Sequence, residues 1–242
     1  MNRIRLIREL ISNYKFRVYL EIGTNKGESF FPVRCRHKLA VDPDFQIPFK
    51  QAVKWYIKNP ANFRSRYFKQ TSDDFFDQKK DLLQKVGPVD ISLVDGLHTF
   101  EQSLKDVLNV LNYLDPGGII VMHDCYPPDE AAAIPAHSIG EARNILKDAF
   151  KNAWCGDVWK TIVYLREKHS DALDVCVISS DFGLGIVRKM DSAPVEMTID
   201  NTVFAKIGLL HYTMVKNDPS LINLKEASFA NELIKDIRTG LA

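Results

Sequence analysis

Four residues in two short blocks could do chemistry together: Asp95 and His98 in VDGLH, and His123 and Asp124 in VMHD. Each block follows an apolar, β-branched run, 89–95 (VDISLVD) and 118–124 (GIIVMHD), so each aspartate closes a strand. Neighbouring strands lie about 5 Å apart in a sheet, which would bring both carboxylates to one place. Two carboxylates with imidazoles beside them can hold a divalent cation; hard oxygen donors suit Mg²⁺, and a mixed set also tolerates Mn²⁺. Such an ion lowers the pKa of a hydroxyl, and a histidine can take the proton. His98 is the first candidate base and His123 the second, with Asp95 and Asp124 as metal ligands. A plainer reading stands beside this one. Asp95 before Gly96 can serve a turn, His98 or Thr99 can cap the next helix, and His123 can be a satisfied core histidine.

The elements that must position these residues alternate between short apolar runs and helical stretches. Further strands are expected at 17–23 (RVYLEIG), 39–42 (LAVD) and 67–71 (YFKQT). Leu104, Val107, Leu108 and Leu111 recur at three- and four-residue spacing and predict a helix over 99–114. Further helices are expected at 1–10 and 140–149, and GDVWK at 156–160 reads as a helix start. The runs 173–178 (LDVCVI) and 184–188 (LGIVR) are separated by five residues. A parallel crossover needs about a dozen, so the pair must form an antiparallel hairpin. This predicts an α/β fold with a mostly parallel sheet ending in a hairpin. Segments 203–214 and 224–237 read as helices of a C-terminal cap, a lid or an oligomer surface.

The first strand runs into Glu21-Ile22-Gly23-Thr24-Asn25-Lys26-Gly27-Glu28-Ser29. Ligands of open α/β sheets bind at the carboxyl ends of the strands. Glycine there lets the backbone approach a ligand, and a following helix N-terminus offers free N–H groups to a carboxylate. Two glycines alone more often mark a turn. Asp42, however, ends the second strand about twenty residues on, where a carboxylate meets ribose hydroxyls in nucleotide-binding units. Its alternative is an Asp-Pro turn with Pro43. A dinucleotide is disfavoured: GxGxxG is absent, and Glu21 would repel a diphosphate. A nucleoside with an amino-acid end suits Glu21 better.

The remaining properties exclude more than they identify. The 242 residues give room for one large domain. A net charge of +1 offers no argument for nucleic acid or an anionic membrane as partner. No apolar run approaches the ~18 residues of a membrane span, and 1–10 lacks a cleavage site, which predicts a cytoplasmic protein. Cys35, Cys125, Cys155 and Cys176 match no metal or disulfide spacing and are expected as reduced thiols.

LEIGTNKGES, VDPD, TSDDFF, VDGLHTFEQSLKDV, GGIIVMHDC, GDVWK and SSDFGLGIV together resemble class I S-adenosylmethionine-dependent methyltransferases. The resemblance spans about 17–189. Within the class it is nearest the methyltransferase-24 branch, which includes macrocin O-methyltransferase and cephalosporin hydroxylase-like proteins. It implies a Rossmann-like, seven-stranded sheet ordered 3-2-1-4-5-7-6, the seventh strand antiparallel, in one domain with its core at about 15–190 and a helical extension at about 195–242. It implies S-adenosylmethionine bound by Glu21, Gly23, Thr24, Gly27, Ser29, Asp42, Asp95, and Ser72 and Asp73 near the adenine. Thr71 or Ser72 before acids is also a good helix cap. The implied activity is O-methylation of a small-molecule or sugar hydroxyl, with Mg²⁺ assistance. Relatives often carry adjacent carboxyl groups where this chain has His123-Asp124. Tyr126, His137 and Trp159 are candidates for the acceptor pocket, with Trp159 better suited to packing. An oxidative, cephalosporin hydroxylase-like activity and a non-catalytic scaffold are the alternatives on the same fold. The helical tail leaves room for a homodimer.

Overall fold

A computed structural model of the chain describes residues 1–151, 153–190 and 194–236. Helix α1 (Arg3–Tyr14) leads into strands β1 (Val18–Ile22) and β2 (His37–Val41), helix α2 (Phe49–Lys58) and strand β3 (Ser65–Phe68). Helices α3 (Ser72–Gln78) and α4 (Lys80–Val86) precede β4 (Val89–Val94), α5 (Phe100–Tyr113) and β5 (Leu114–Met122). Then follow α6 (Ile139–Leu146), α7 (Trp159–Lys168), β6 (Leu173–Ile178) and β7 (Leu184–Lys189). The C-terminal part holds α8 (Asn201–Gly208), α9 (Thr213–Asn217), β8 (Leu224–Lys225) and α10 (Phe229–Asp236).

The strand order is β3-β2-β1-β4-β5-β7-β6-β8. β7 runs antiparallel to both β5 and β6, as the short hairpin connection requires. β1 and β5 end in fully buried side chains because helices cover both faces of the sheet. Alternation along β1 separates two cores. Val18, Leu20 and Ile22 join Leu104, Val107 and Ile162 on one face. Tyr19 joins Ala40, Leu93 and the α1 residues Leu6, Ile7, Leu10 and Ile11 on the other. The three- and four-residue spacing of those α1 positions is what docks the N-terminal helix on the sheet. Ile207, Tyr212, Val215 and Ile222 continue the first core, so the C-terminal helices share it.

The sheet has one strand more than expected. β8 is two residues long, pairs parallel with β6, and starts the segment read as a helix over 224–237; its helical part is α10, and residue 237 lies outside the described residues. The helix expected over 203–214 is two helices, α8 and α9. The strand expected at 67–71 lies at β3, shifted back. The helix expected after Gly27 does not form. One helical turn closes there, Phe31 N donating to Gly27 O at 3.0 Å, and then Pro32, without an N–H, stops it. All four cysteines are free and buried. Among the described residues no helix is long and apolar enough to cross a membrane.

Candidate active site

A cavity of about 740 Å³ opens at the carboxyl ends of β1, β2, β4 and β5. The backbone ladder extends one rung past each strand: Gly23 N donates to Val41 O, Asp95 N to Ile22 O, and His123 N to Val94 O. That rung fixes where the side chains point into the cavity. Gly23 has φ +83°, and a Cβ there would lie 2.0 Å from Asp95 O. Only glycine lets the ends of β1 and β4 approach this closely.

Gly23, Thr24, Ser29, Asp42, Ser72, Asp95, His98, His123 and Asp124 all line the cavity. Asp42 is held by its own loop: Oδ2 accepts Asn25 N and Oδ1 accepts Asp44 N, each at 2.7 Å. The Thr24 hydroxyl is buried and has no hydrogen-bond partner. Such an orphaned group on a cavity wall calls for a ligand atom or a water. Three of the expected cofactor residues stand off the wall. Gly27 (φ +74°) shapes the turn and packs on Phe31. Asp73 is exposed on α3. Glu21 is fully buried behind the wall, on the α1 face of β1, where it accepts hydrogen bonds from Tyr19 and, at 3.0 Å, Ser29.

Burial raises the Glu21 pKa to about 8, against the lowering effect of the Tyr19 and Ser29 hydroxyls. The folded state therefore holds a proton on Glu21 that the unfolded chain releases near pH 4.5. Stability should fall as pH rises from there to about 8. Glu21→Gln removes that ionisation, so its melting temperature should exceed the wild type's at pH 9 by about 3 °C or more and match it near pH 5. Parallel melting curves at the two pH values would refute the buried, protonated Glu21.

The chemical end is a compact ionic cluster. His98 Nε2 lies 3.7 Å from Asp95 Oδ1 and 3.4 Å from Asp124 Oδ2. His123 Nδ1 lies 3.4 and 3.1 Å from the same two oxygens. Asp124 adopts a left-handed backbone (φ +61°) that turns its carboxylate back toward Asp95. The loop after it is locked to the β6–β7 turn, with Cys125 N donating to Gly183 O and Tyr126 N to Phe182 O. His98 is supported by Trp154, whose carbonyl lies 3.2 Å from Nδ1 and whose ring centroid is 5.0 Å from the imidazole.

Burial lowers the His123 pKa, but hydrogen bonds to Asp124, Asp181 and Asp95 outweigh it and push it to about 11. His98 is raised in the same way by Asp95 and Asp124 against its burial. Asp95 is held well below the usual carboxylate range: burial raises it, and the two histidines and Arg3 lower it more.

Two members of the cluster were not legible in the sequence. Arg3, at the start of α1, reaches in to place Nε 3.3 Å from Asp95 Oδ2 and Nη1 3.2 Å from Asp181 Oδ2. Asp181, in the β6–β7 turn, also accepts the Arg3 backbone N–H at 2.8 Å. On another part of the wall, Gln102 and Asp106 of α5 face Ser72. Asp106 did carry a signal, an acid at a core-facing position of an amphipathic helix. Trp159 is a core residue, and His137 is exposed.

Residues 20–125, from β1 to the residue after Asp124, match the family model Methyltransf_24, described as a methyltransferase domain. The fold and the cavity agree with that description. Among solved structures, the chain resembles cofactor-bound Rv0187 from MTB, with 15% identity, 78% of this chain and 80% of that one covered, and TM-score 0.51. The methyltransferase PaMTH1 of Podospora anserina, solved with SAH, is similar at 16% identity, 79% and 80% coverage and TM-score 0.50. An O-methyltransferase from Bacillus cereus in complex with SAH gives 14%, 78% and 80%, and 0.51. At these identities the likeness is one of fold. No curated protein matches the chain.

Proposed function

We propose that the chain transfers a methyl group from S-adenosylmethionine to a hydroxyl of a small molecule. The observation that carries this reading is the cavity itself, which joins a nucleoside-type wall to the acid–histidine cluster within a methyltransferase domain. Asp42 suits a ribose diol, because a carboxylate is acceptor-only and a diol offers two donors. The buried, unpartnered Thr24 hydroxyl and Ser29 suit the cofactor's amino-acid end. Glu21 contributes from behind by fixing Ser29. The cofactor supplies an electrophilic methyl group on a sulfonium.

The acceptor hydroxyl is a weak nucleophile until it loses its proton. His98 is the group in this reading that accepts the proton, with its ring held by Trp154 and its Nε2 turned into the cluster. His123 turns Nδ1 to both Asp95 and Asp124 and holds the two carboxylates together. A divalent cation fits the donor set. Asp95, His98 and Asp124 each offer one ligand atom, all within 4.8 Å of one another, and an ion held there would make His98 a ligand in place of the proton acceptor. Arg3 contacts the other oxygen of Asp95 and leaves Oδ1 to the set. When bound, Mg²⁺ or Mn²⁺ would lower the hydroxyl pKa.

The reading is tested by calorimetric titration with S-adenosylhomocysteine, with and without Mg²⁺. Binding at micromolar concentration is expected, corresponding to about −8 kcal/mol. Absence of binding in both conditions would overturn the proposed cofactor and with it the activity.

A further inference from the structure

The outer face of α2 is an apolar stripe open to solvent. Phe49, Val53 and Ile57 recur every four residues and stand 81%, 43% and 76% exposed, and the helix has no buried residue. Beside them Phe63, 73% exposed in the short turn Pro60–Arg64, meets Tyr56 of α2 edge-on at 5.0 Å. Single exposed apolar side chains are ordinary, but a group of them on one surface marks a binding face.

The surroundings of the stripe are strongly basic. Lys50, Lys54 and Lys58 run alongside it at the same four-residue spacing. Residues 34–69 hold nine Lys and Arg against two acids, and every one of the nine except Lys38 is exposed. All Lys and Arg ion pairs among the described residues lie elsewhere. The +1 net charge of the whole chain conceals this local excess. The patch continues into a second cavity, of about 610 Å³, at the starts of β2 and β3, lined by Arg36, His37, Phe63, Arg64, Ser65 and Arg66. Burial first, and then the charges of Arg36, Arg66 and Arg64, hold the His37 pKa below its ordinary value. Three guanidinium groups around one cavity repel one another unless an anion joins them, and their planar forks suit phosphate oxygens.

We propose that this face docks on an anionic phospholipid surface, with Phe49, Val53, Ile57 and Phe63 entering the acyl boundary and a lipid phosphate seated among Arg36, Arg64 and Arg66. A lipid surface supplies apolar and anionic partners together. The stripe is a ridge, which a deformable surface receives without a matching cleft. Lysines on its flank keep their stems on apolar surface and their ammonium groups among the headgroups. Nucleic acid would satisfy the cations but leave Val53 and Ile57 in water. A second copy of the chain would set the cations of one against those of the other. The inference is independent of the S-adenosyl reading.

The experiment is co-sedimentation of the full chain with vesicles of phosphatidylcholine, and with vesicles of phosphatidylcholine and phosphatidylglycerol in equal amounts. Binding to the mixed vesicles should be at least about 100-fold tighter, since each cation near an anionic surface adds attraction. Phe49→Gln with Ile57→Gln should weaken it by about tenfold or more, and so should Arg64→Gln with Arg66→Gln. These side chains are all exposed, so both variants should melt like the wild type. A wild type that does not prefer the mixed vesicles overturns the proposal. So does a folded Phe49→Gln, Ile57→Gln protein that binds them as the wild type does, because adsorption is then by charge alone. Binding of a short RNA duplex without binding of vesicles assigns the face to nucleic acid and overturns it too. A dimer in sedimentation velocity that the same pair of glutamines dissociates gives the stripe to a second copy, with the same consequence.

Discussion

Asp42→Ala is expected to weaken S-adenosylhomocysteine binding by about 100-fold or more. Two ribose hydroxyls donating to one carboxylate are each worth about 1.5–3 kcal/mol, and each 1.4 kcal/mol is tenfold in affinity. The residue also organises its surroundings, since Asn25 N and Asp44 N both donate to it. Alanine therefore removes the diol acceptor and leaves two backbone donors to find water. Asp42→Asn separates the effects. It keeps one acceptor oxygen but loses the charge, and should cost about tenfold. Calorimetry gives the affinities, and the melting temperature without ligand reports the loop's share. An alanine variant that melts a little lower but binds with wild-type affinity would remove the ribose from Asp42.

The strand ends were legible because strand position and chemistry coincide in them. Asp42, Asp95 and Asp124 each terminate an apolar run, and adjacent runs must share an edge of the sheet. Period-two alternation also carried information that a motif reading overlooks. Glu21 shares a face with Tyr19, so it turns away from the cavity that Gly23 borders. Pro32 likewise forbade the helix expected after Gly27. Other features had no local signature. β8 is too short for a pattern to reveal, and it forms because its neighbour β6 offers a free edge. Arg3 sits in an amphipathic helix like many others. Its role arises only when Leu6, Ile7, Leu10 and Ile11 dock α1 on the sheet, which carries the helix start to the far ends of the strands.

Arg3→Ala is expected to lower the melting temperature without added metal by about 4–8 °C, for a loss of about 2 kcal/mol. The guanidinium lies among Asp95, Asp181 and the His123 ring, with Nη1 3.0 Å from His123 Nε2. These groups are partly shielded from water, the side chains being 23% exposed for Arg3, 14% for Asp95 and 17% for Asp181. Removing the cation leaves Asp95, Asp124 and Asp181 facing one another with only the histidines between them, and leaves the start of α1 tied to the β6–β7 turn by backbone bonds alone, residue 3 N–H to Asp181 and Met1 O to Ser180. Arg3→Lys keeps the charge but not the planar fork that spans two carboxylates, so it should recover only part of the loss. Mg²⁺ or Mn²⁺ should raise the melting temperature of Arg3→Ala more than that of the wild type, because either ion supplies the charge that the side chain no longer does. If Arg3→Ala melts like the wild type and responds equally to metal, the guanidinium is a bystander. If the deficit appears and metal repairs it, the N-terminal helix and the cation are two answers to one excess of negative charge, and Asp95 is the residue on which they meet.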